Sequence, residues 1–172
     1  RLWAIDFGHP HPLVRPDEKE ILEPSFRFAR GDFNPKYHVY PGLYLYLVWA
    51  WSAAVLFLRG LFAPVPPYPA ALLSALFGNP ESRWTSPIVH GRVLAALVGV
   101  ATVAAVYLVG RRRDGRAVGL VAAVLLATCY LHVRDCHSLK AEAFLTFAIV
   151  PALAACARLV DEPTGRRGLV AG

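Results

Sequence analysis

The sequence predicts an all-α, polytopic transmembrane protein, and two features of its composition carry that prediction. Hydrophobic residues make up 56% of the 172 residues and charged residues 17%, whereas about 25% of a typical soluble domain is charged. Four stretches contain no Lys, Arg, Asp or Glu: 37–58, 93–110, 117–133 and 143–157. A spanning helix needs about 20 mostly apolar residues, so these stretches are adequate or nearly adequate to cross a bilayer.

The basic residues are arranged as membrane topology signals. The formal net charge is +6, and 18 residues are Lys or Arg. Many of the arginines lie in two short segments, 111–116 and 158–167, each of which follows an apolar stretch. A nucleic-acid binder would gather its basic residues into one patch, so we expect no nucleic-acid partner. Clusters beside apolar stretches instead favour a cytoplasmic position for both segments.

This orientation places two other segments on the external side of the membrane. The loop 134–142 and the chain before Arg92 both lie opposite the arginine clusters. Residues 1–36 form an external loop only if 37–88 is juxtamembrane or re-entrant, because a single crossing by 37–58 would place residues 1–36 in the cytoplasm. We expect the external loop. Aromatic residues crowd the first half of 37–58, which is typical of a membrane interface. We expect three spans, over 89–110, 117–133 and 141–160.

The first 36 residues differ in kind from the rest of the chain. They carry six basic and six acidic side chains together with several prolines. Pro16 and Asp17 predict the start of a short helix that runs through Glu23, with Pro24 beginning a second turn. Because the sequence starts at Arg1 and contains no Met, we expect the native start to be missing, and the apolar residues 168–172 resemble the opening of a further apolar segment. We therefore expect residues 1–172 to be the amino-terminal part of one larger transmembrane domain, whose carboxyl-terminal remainder is missing.

Two groups of ionisable residues are candidates for chemistry. Asp17 and Glu18 are adjacent carboxylates, although an acidic first turn of a helix is also an ordinary feature. The external loop 134–142 ends in Glu142 and contains His137, a pair suited to acid–base work or to metal binding, or simply a hydrated loop. Two ligands do not make a metal site, so the sequence requires no divalent metal and indicates no certain cofactor.

The candidates for binding a phosphate group are Lys36, His38 and Arg92. Arg92 lies at the external mouth of a predicted span, where a cation can hold an anionic headgroup. The alternative for Arg92 is a side chain that merely anchors the helix by reaching the interface.

The order of these features resembles a known enzyme family. Its motifs are Asp17-Glu18, Gly31-Asp-Phe-Asn-Pro35, Tyr40-Pro-Gly-Leu-Tyr-Leu-Tyr46, Gly91-Arg-Val-Leu-Ala-Ala-Leu-Val-Gly99, Val106-Tyr-Leu-Val-Gly-Arg-Arg-Arg113 and the loop that ends in Glu142. Over residues 5 to 160 the chain is similar to the amino-terminal part of the GT-C membrane glycosyltransferases. The branch it resembles is glycosyltransferase family 39, which includes the protein O-mannosyltransferases and the aminoarabinose-transferase-like enzymes.

The resemblance implies a fold, a donor and roles for individual residues. Family members take a sugar from a polyprenyl-phosphate lipid and transfer it on the external face, and their first external loop contains juxtamembrane helices. The essential acidic pair of that loop corresponds to Asp17 and Glu18. Glu142, five residues after His137, occupies the place of a second acidic residue that is usually Asp. A Lys that contacts the lipid phosphate in one branch is replaced here by Tyr40. The residues expected to bind the lipid phosphate or the sugar are thus Lys36, His38, Tyr40, Arg92 and His137.

The resulting expectation is a multi-pass enzyme of the plasma or inner membrane, with its active site on the external or periplasmic face. Asp17 would act as the general base of an inverting, mannosyltransferase-like reaction. The partners are the bilayer, a polyprenyl-phosphate-linked sugar, and a lipid, glycan or protein acceptor, whose identity and that of the sugar stay open. The alternatives are a fragment of a polytopic transporter and a non-enzymatic membrane scaffold.

Overall fold

The computed structural model describes residues 2, 3, 5–7, 16–36, 39–61 and 87–161. Its helices are α1 (Pro16–Ala29), α2 (Gly42–Gly60), α3 (Pro87–Asp114), α4 (Arg116–Thr128), α5 (Tyr130–Asp135) and α6 (Ala141–Asp161). The described residues contain no β-strand. The predicted all-α class is confirmed.

Two of these helices have the length and composition of membrane spans. Windows of 18 residues within Ile88–Asp114 and Ala141–Val160 have mean hydropathies of 2.4 and 2.0. Little of either helix is buried within the protein, and large apolar side chains such as Leu97, Val100 and Leu145 are exposed. Apolar side chains exposed along whole helices are suited to contact with lipid chains. The structure is therefore that of an all-α membrane protein.

The remaining predicted span, 117–133, is divided into two helices. The helix α4 ends at Thr128, and Cys129 has an extended backbone with φ −62° and ψ 117° before α5 begins. The Thr128 hydroxyl donates to the carbonyl oxygen of Val124 at 2.9 Å, and the Cys129 amide bonds to Leu126, three residues back. Such local bonds compete with the regular helical ladder. The 13 residues of α4 extend about 20 Å, less than the bilayer core of about 30 Å.

The first helix, α1, continues past the predicted boundary at Glu23. Pro24 lies inside it, and the helix ends at Ala29. The expectation of a helix that ends at Glu23 was therefore wrong. The buried face explains the difference, because Ile21 and Leu22 before the proline and Phe28 after it pack into one cluster. Tertiary packing of this kind outweighs the cost of about 3 kcal/mol for a proline in a helix interior.

The main hydrophobic core lies where α1 and α2 meet the first residues of α3 and α6. It contains Ile21, Leu22, Phe28, Tyr44, Leu45, Val48, Ile88 and Leu139. The ring of Phe28 stacks on Tyr46 with centroids 4.8 Å apart, which joins α1 to α2. The core thus lies at one end of the two spans and not along them.

The contacts of α2 support a juxtamembrane position for it. The Trp51 indole donates to the carbonyl oxygen of His90 at 2.9 Å, and the Tyr44 ring meets Phe144 edge-on at 5.0 Å. His90 and Phe144 both belong to the first turns of their helices. A span parallel to α3 and α6 would contact them along their length. The contacts of α2 therefore favour the juxtamembrane or re-entrant position of 37–58, which stays a prediction.

At the other end of α3, Gly110 and Gly119 allow a close hairpin between α3 and α4. A Cβ atom on Gly119 would lie 2.6 Å from the Arg111 nitrogen and 2.7 Å from the Tyr107 oxygen. The connecting Gly115 has φ +96°, a value that favours glycine. The exposed arginines 111, 112, 113 and 116 surround this turn.

Candidate active site

The centre of the candidate site is an ion pair between Glu18 and Arg92. Glu18 is 1% exposed and Arg92 is 4% exposed. The Arg92 Nε atom donates to Glu18 Oε1 at 2.8 Å, and its Nη2 atom donates to Oε2 at 2.5 Å. This is the two-pronged geometry in which arginine binds a carboxylate most strongly. The pair joins α1 to the first turns of α3.

Further hydrogen bonds complete this buried arrangement. The Arg92 Nη1 atom donates to the carbonyl oxygens of Ile5 at 3.0 Å and Phe7 at 2.6 Å. Glu18 Oε1 also accepts from the Leu139 amide at 2.9 Å. A buried charge is tolerated only when it is paired and hydrogen-bonded, and both partners here meet that condition. The Glu18–Arg92 pair therefore joins α1 and α3 to the amino-terminal segment, through Arg92, and to the loop before α6, through Glu18.

Gly91 makes room for the contact between the Leu139 amide and Glu18. A Cβ atom on Gly91 would lie 2.5 Å from Leu139 Cδ1. The absence of a side chain at position 91 lets Leu139 pack fully buried against α3. The Leu139 amide is thereby held within reach of Glu18.

Asp17 has a different environment from its neighbour Glu18. Successive residues of a helix point about 100° apart, so Asp17 lies at the rim of the buried face. Its side chain is 53% exposed, and its Oδ2 atom lies 3.8 Å from Lys140 Nζ. The pair Asp17–Lys140 and the bond from Leu139 to Glu18 bring the loop 134–142 against the first turn of α1. These two polar segments, both expected on the external side, are therefore in contact with each other.

Tyr44 lies near two of the acidic residues of the site, Glu18 and Glu142. Burial raises the pKa of its phenol, and the charges of Glu142 and Glu18 raise it further. The hydroxyl is buried and has no hydrogen-bond partner among the described residues. A protonated phenol beside two carboxylates is a potential hydrogen-bond donor at this site.

The two predicted site residues of the loop have separate surroundings. Glu142 is exposed and lies in the first turn of α6, at the membrane end that carries Glu18. His137 is partly buried, and its Nδ1 atom lies 2.7 Å from the carbonyl oxygen of Val133. That contact fixes the imidazole against the preceding turn of chain.

Two of the predicted phosphate-binding residues, Lys36 and Arg92, lie apart in the described part of the chain. Lys36 forms an ion pair with Asp32 at 3.4 Å and lines a cleft with Glu20, Glu23 and Arg27. These helical residues lie about 140° to 200° around α1 from Glu18, so Lys36 lies beside the opposite face of that helix. The phosphate role of Lys36 stays a prediction.

Three further candidates for phosphate or sugar binding, Tyr40, His38 and Arg92, have different positions. Tyr40 is partly buried and packs against the main core. His38 lies outside the described residues. Arg92 lies within the site but directs four hydrogen bonds to groups of the protein itself.

Sequence reasoning did not single out Lys140 and Tyr44. Lys140 was visible only as one of several charged residues in the loop, and Tyr44 as one of several aromatic residues. The pairing of Glu18 with Arg92 was also missed, since the partners are 74 residues apart and no local pattern connects them. Within the described residues, no three or more His, Cys, Asp and Glu side chains form a group that could hold a metal ion.

The comparison with known proteins adds a family to this geometry. The profile of the dolichyl-phosphate-mannose-protein mannosyltransferase family matches residues 62–172. The chain belongs to that family. No curated protein and no solved structure matches it.

Membership in the mannosyltransferase family makes the chain part of a membrane glycosyltransferase that uses lipid-linked sugar donors. This confirms the coarser part of the resemblance drawn from the sequence. The matched region contains Arg92, His137, Lys140 and Glu142, whereas Asp17 and Glu18 precede it. The roles of the acidic pair are therefore argued from geometry.

Proposed function

We propose that this mannosyltransferase-family chain forms the acidic part of an active site that transfers a sugar from a polyprenyl-phosphate donor to an acceptor hydroxyl. The transfer takes place on the external face of the membrane. The observation that carries the proposal is the contrast between Glu18, buried and bound by Arg92 and the Leu139 amide, and Asp17, half exposed beside it.

In this proposal Asp17 is the general base. Its carboxylate accepts the proton of the acceptor hydroxyl as the oxygen attacks the anomeric carbon of the sugar. The bond from that carbon to the lipid phosphate breaks, and the phosphate leaves with its electron pair. An exposed carboxylate on a helix that is fixed at the next residue is suited to this role, because a base must reach its proton within hydrogen-bond distance.

Glu18 is then a positioning residue. Its carboxylate oxygens already accept hydrogen bonds from Arg92 and Leu139, and its side chain is almost completely buried. It holds the first turn of α1 against α3 and thereby sets the location of Asp17. This divides the roles within the acidic pair.

Lys140 is the described cation best placed to meet the departing phosphate. Its Nζ atom lies 3.8 Å from Asp17, on the side of the site formed by the loop before α6. A nearby ammonium group stabilises the negative charge that develops on a leaving phosphate. Glu142, in the first turn of α6, would orient the acceptor.

The decisive test is Asp17→Asn in the full-length protein, assayed in membranes with a labelled polyprenyl-phosphate sugar. Loss of base catalysis should lower transfer by about 10²- to 10⁴-fold with normal insertion. The matched control is Glu23→Gln, which removes an exposed carboxylate from the opposite face of the same helix and should retain transfer. Full transfer by Asp17→Asn would overturn the assignment of the base, and absence of transfer by the unaltered protein would favour a transporter or a scaffold.

A second comparison concerns the phosphate. We expect Lys140→Gln to reduce transfer strongly and Lys36→Gln to reduce it little, because Lys36 lies beside the other face of α1. Both changes remove one positive charge and break one ion pair to an aspartate. Equal losses in the two variants would show that the effect is one of overall charge.

The external location has its own test. A Glu23→Cys variant, made in a background without Cys129, Cys136 and Cys156, presents a thiol on the exposed face of α1. An impermeant thiol reagent added from outside should label it in intact cells or spheroplasts. Labelling only after the membrane is opened would place α1 in the cytoplasm and refute the external site.

A further inference from the structure

A groove lies at the end of the spans remote from the candidate active site. It is formed between α3, α4 and α6 and has a volume of about 560 Å³. Its walls include Val109 of α3, Val118 of α4, and Leu153 and Ala157 of α6. The walls are apolar, and the groove is open to the surroundings of the helices.

Basic side chains line the same groove at its outer end. Arg112 and Arg113 belong to the last turn of α3, and Arg158 belongs to the last turns of α6. Asp114 is the acidic residue among the lining residues, so the formal charge at this end is positive. Arg112 and Arg158 are exposed.

The groove is long enough to include both the basic side chains and the apolar walls. From Arg158 to Val150, another lining residue, α6 extends about 12 Å along its axis. The groove therefore passes from charged side chains at a helix end to a wholly apolar region at the depth of lipid chains. An occupant must carry negative charge at one end and hydrocarbon at the other.

We propose that this groove binds an anionic phospholipid, with its phosphate at Arg112 and Arg158 and an acyl chain along the apolar walls. Arginine pairs well with phosphate, and basic pockets between membrane helices accept anionic headgroups. The site is separate from the one proposed for sugar transfer, since Arg92 and Arg111 are 19 positions apart on α3 and thus about 28 Å apart.

The experiment measures binding of phosphatidylglycerol to the full-length protein in neutral detergent, by native mass spectrometry. Phosphatidylcholine with the same acyl chains is the comparison lipid. We expect preferential binding of phosphatidylglycerol, and a loss of about 30-fold in its affinity in the double variant Arg112→Gln/Arg158→Gln. The single variant Arg158→Gln should show an intermediate loss and guards against misfolding of the double variant.

The matched control is Arg111→Gln/Arg116→Gln. It removes the same charge from the same end of the spans, but neither residue lines the groove. Its affinity for phosphatidylglycerol should remain close to that of the unaltered protein. Equal losses in the two double variants, or equal binding of both lipids, would overturn the proposal in favour of diffuse surface charge.

A third variant tests the apolar part of the groove. Ala157→Phe places a large ring among the lining residues and leaves the arginines in place, so binding of phosphatidylglycerol should fall. Retained binding in this variant would mean that the headgroup alone is recognised and would refute the groove. If no lipid binds the unaltered protein, the proposal fails.

The readout does not depend on sugar transfer. Lipid binding can be present in the inactive Asp17→Asn variant, and transfer can persist in detergent without added phosphatidylglycerol. The two proposals therefore fail separately.

Discussion

The two ends of α3 carry arginines in opposite environments. Arg92, the sixth residue of α3, is 4% exposed and bound to Glu18 and to the carbonyl oxygens of Ile5 and Phe7. Arg111, Arg112 and Arg113 at its end are exposed. The same residue type therefore serves as a structural cation at one end and as a surface cation at the other.

The comparison shows that the partner, and not the residue type, decides what an arginine contributes. A buried bidentate pair becomes an uncompensated charge when one member is removed, whereas an exposed arginine can be replaced at little cost. The core at the Arg92 end contains α1 and α2, while the Arg111 end is formed by α3, α4 and the last turns of α6 without those two helices. Changes at the first end should be the more damaging.

The largest effect is expected for Arg92→Gln. Removal of the guanidinium leaves Glu18 buried without its counter-ion, which should lower the free energy of unfolding by about 3–5 kcal/mol. Titration with a denaturing detergent measures this difference. Arg112→Gln in neutral detergent should stay within about 0.5 kcal/mol of the unaltered protein, and equal costs at the two positions would contradict the comparison.

A smaller effect is expected for Gly119→Ala. The added Cβ meets the backbone of Arg111 and Tyr107 at 2.6 and 2.7 Å, so α3 and α4 must move apart. Overpacking of this kind costs about 1–3 kcal/mol. The same titration measures the cost, and an unchanged free energy of unfolding would show that the hairpin is not closely packed.

Gly91→Ala tests the same kind of change at the other end of α3. Its Cβ meets the side chain of Leu139 and not backbone, so the side chain can yield and the loss of stability should be less than that of Gly119→Ala. Displacement of Leu139 disturbs its amide bond to Glu18, so sugar transfer should fall more in Gly91→Ala than in Gly119→Ala. The reverse order of transfer rates would remove Glu18 from the positioning role.

A matched tyrosine pair on α2 should show effects of opposite sign. Tyr44→Phe removes a buried hydroxyl that lacks a hydrogen-bond partner among the described residues, which should stabilise the protein by about 1 kcal/mol. Tyr46→Phe removes a bond to the Phe33 carbonyl oxygen at 2.7 Å and should cost about 1 kcal/mol or less. Denaturing titration compares them, and a destabilised Tyr44→Phe would mean that its hydroxyl has an interaction in the membrane-embedded protein.

The smallest effect concerns the exposed turn that contains Asp32. The Asn34 amide and Lys36 donate to its carboxylate and lower its pKa below the ordinary value. The stabilisation of this turn is therefore present above the ordinary pKa and is lost as the pH falls through the lowered one. The protection factor of the Asn34 amide, its intrinsic exchange rate divided by the observed rate at the same pH, should fall at low pH in the unaltered protein and show no such transition in Asp32→Asn.

Much of the membrane-spanning architecture was predictable from the sequence, because hydropathy and charge vary over the length of a helix. The α3 and α6 spans lie close to the predicted 89–110 and 141–160, and the arginines surround the α3–α4 turn as expected. The break at Cys129 was missed because it is a change of backbone conformation at a single residue, which the hydropathy of a long stretch does not register. The passage of α1 through Pro24 was missed because it depends on packing against α2.

Several members of the candidate site were predictable from the sequence, but Lys140, Tyr44 and the geometry of the site were not. Asp17, Glu18, Arg92 and Glu142 were all identified from residue type and from the family resemblance. The burial of Glu18 and its bond to Arg92 depend on contacts across 74 residues, and the contact of Glu18 with Leu139 crosses 121 residues. Spacing along the chain carries no signal for such contacts.

These separations also impose an order of assembly during synthesis. At about 5–20 residues per second, Arg92 follows Glu18 by about 4–15 s and Leu139 follows it by about 6–24 s. For that interval the first turn of α1 has been made but lacks its partners in the later chain. The acidic pair thus reaches its final position only after the loop before α6 has been synthesised and has met it at the membrane surface.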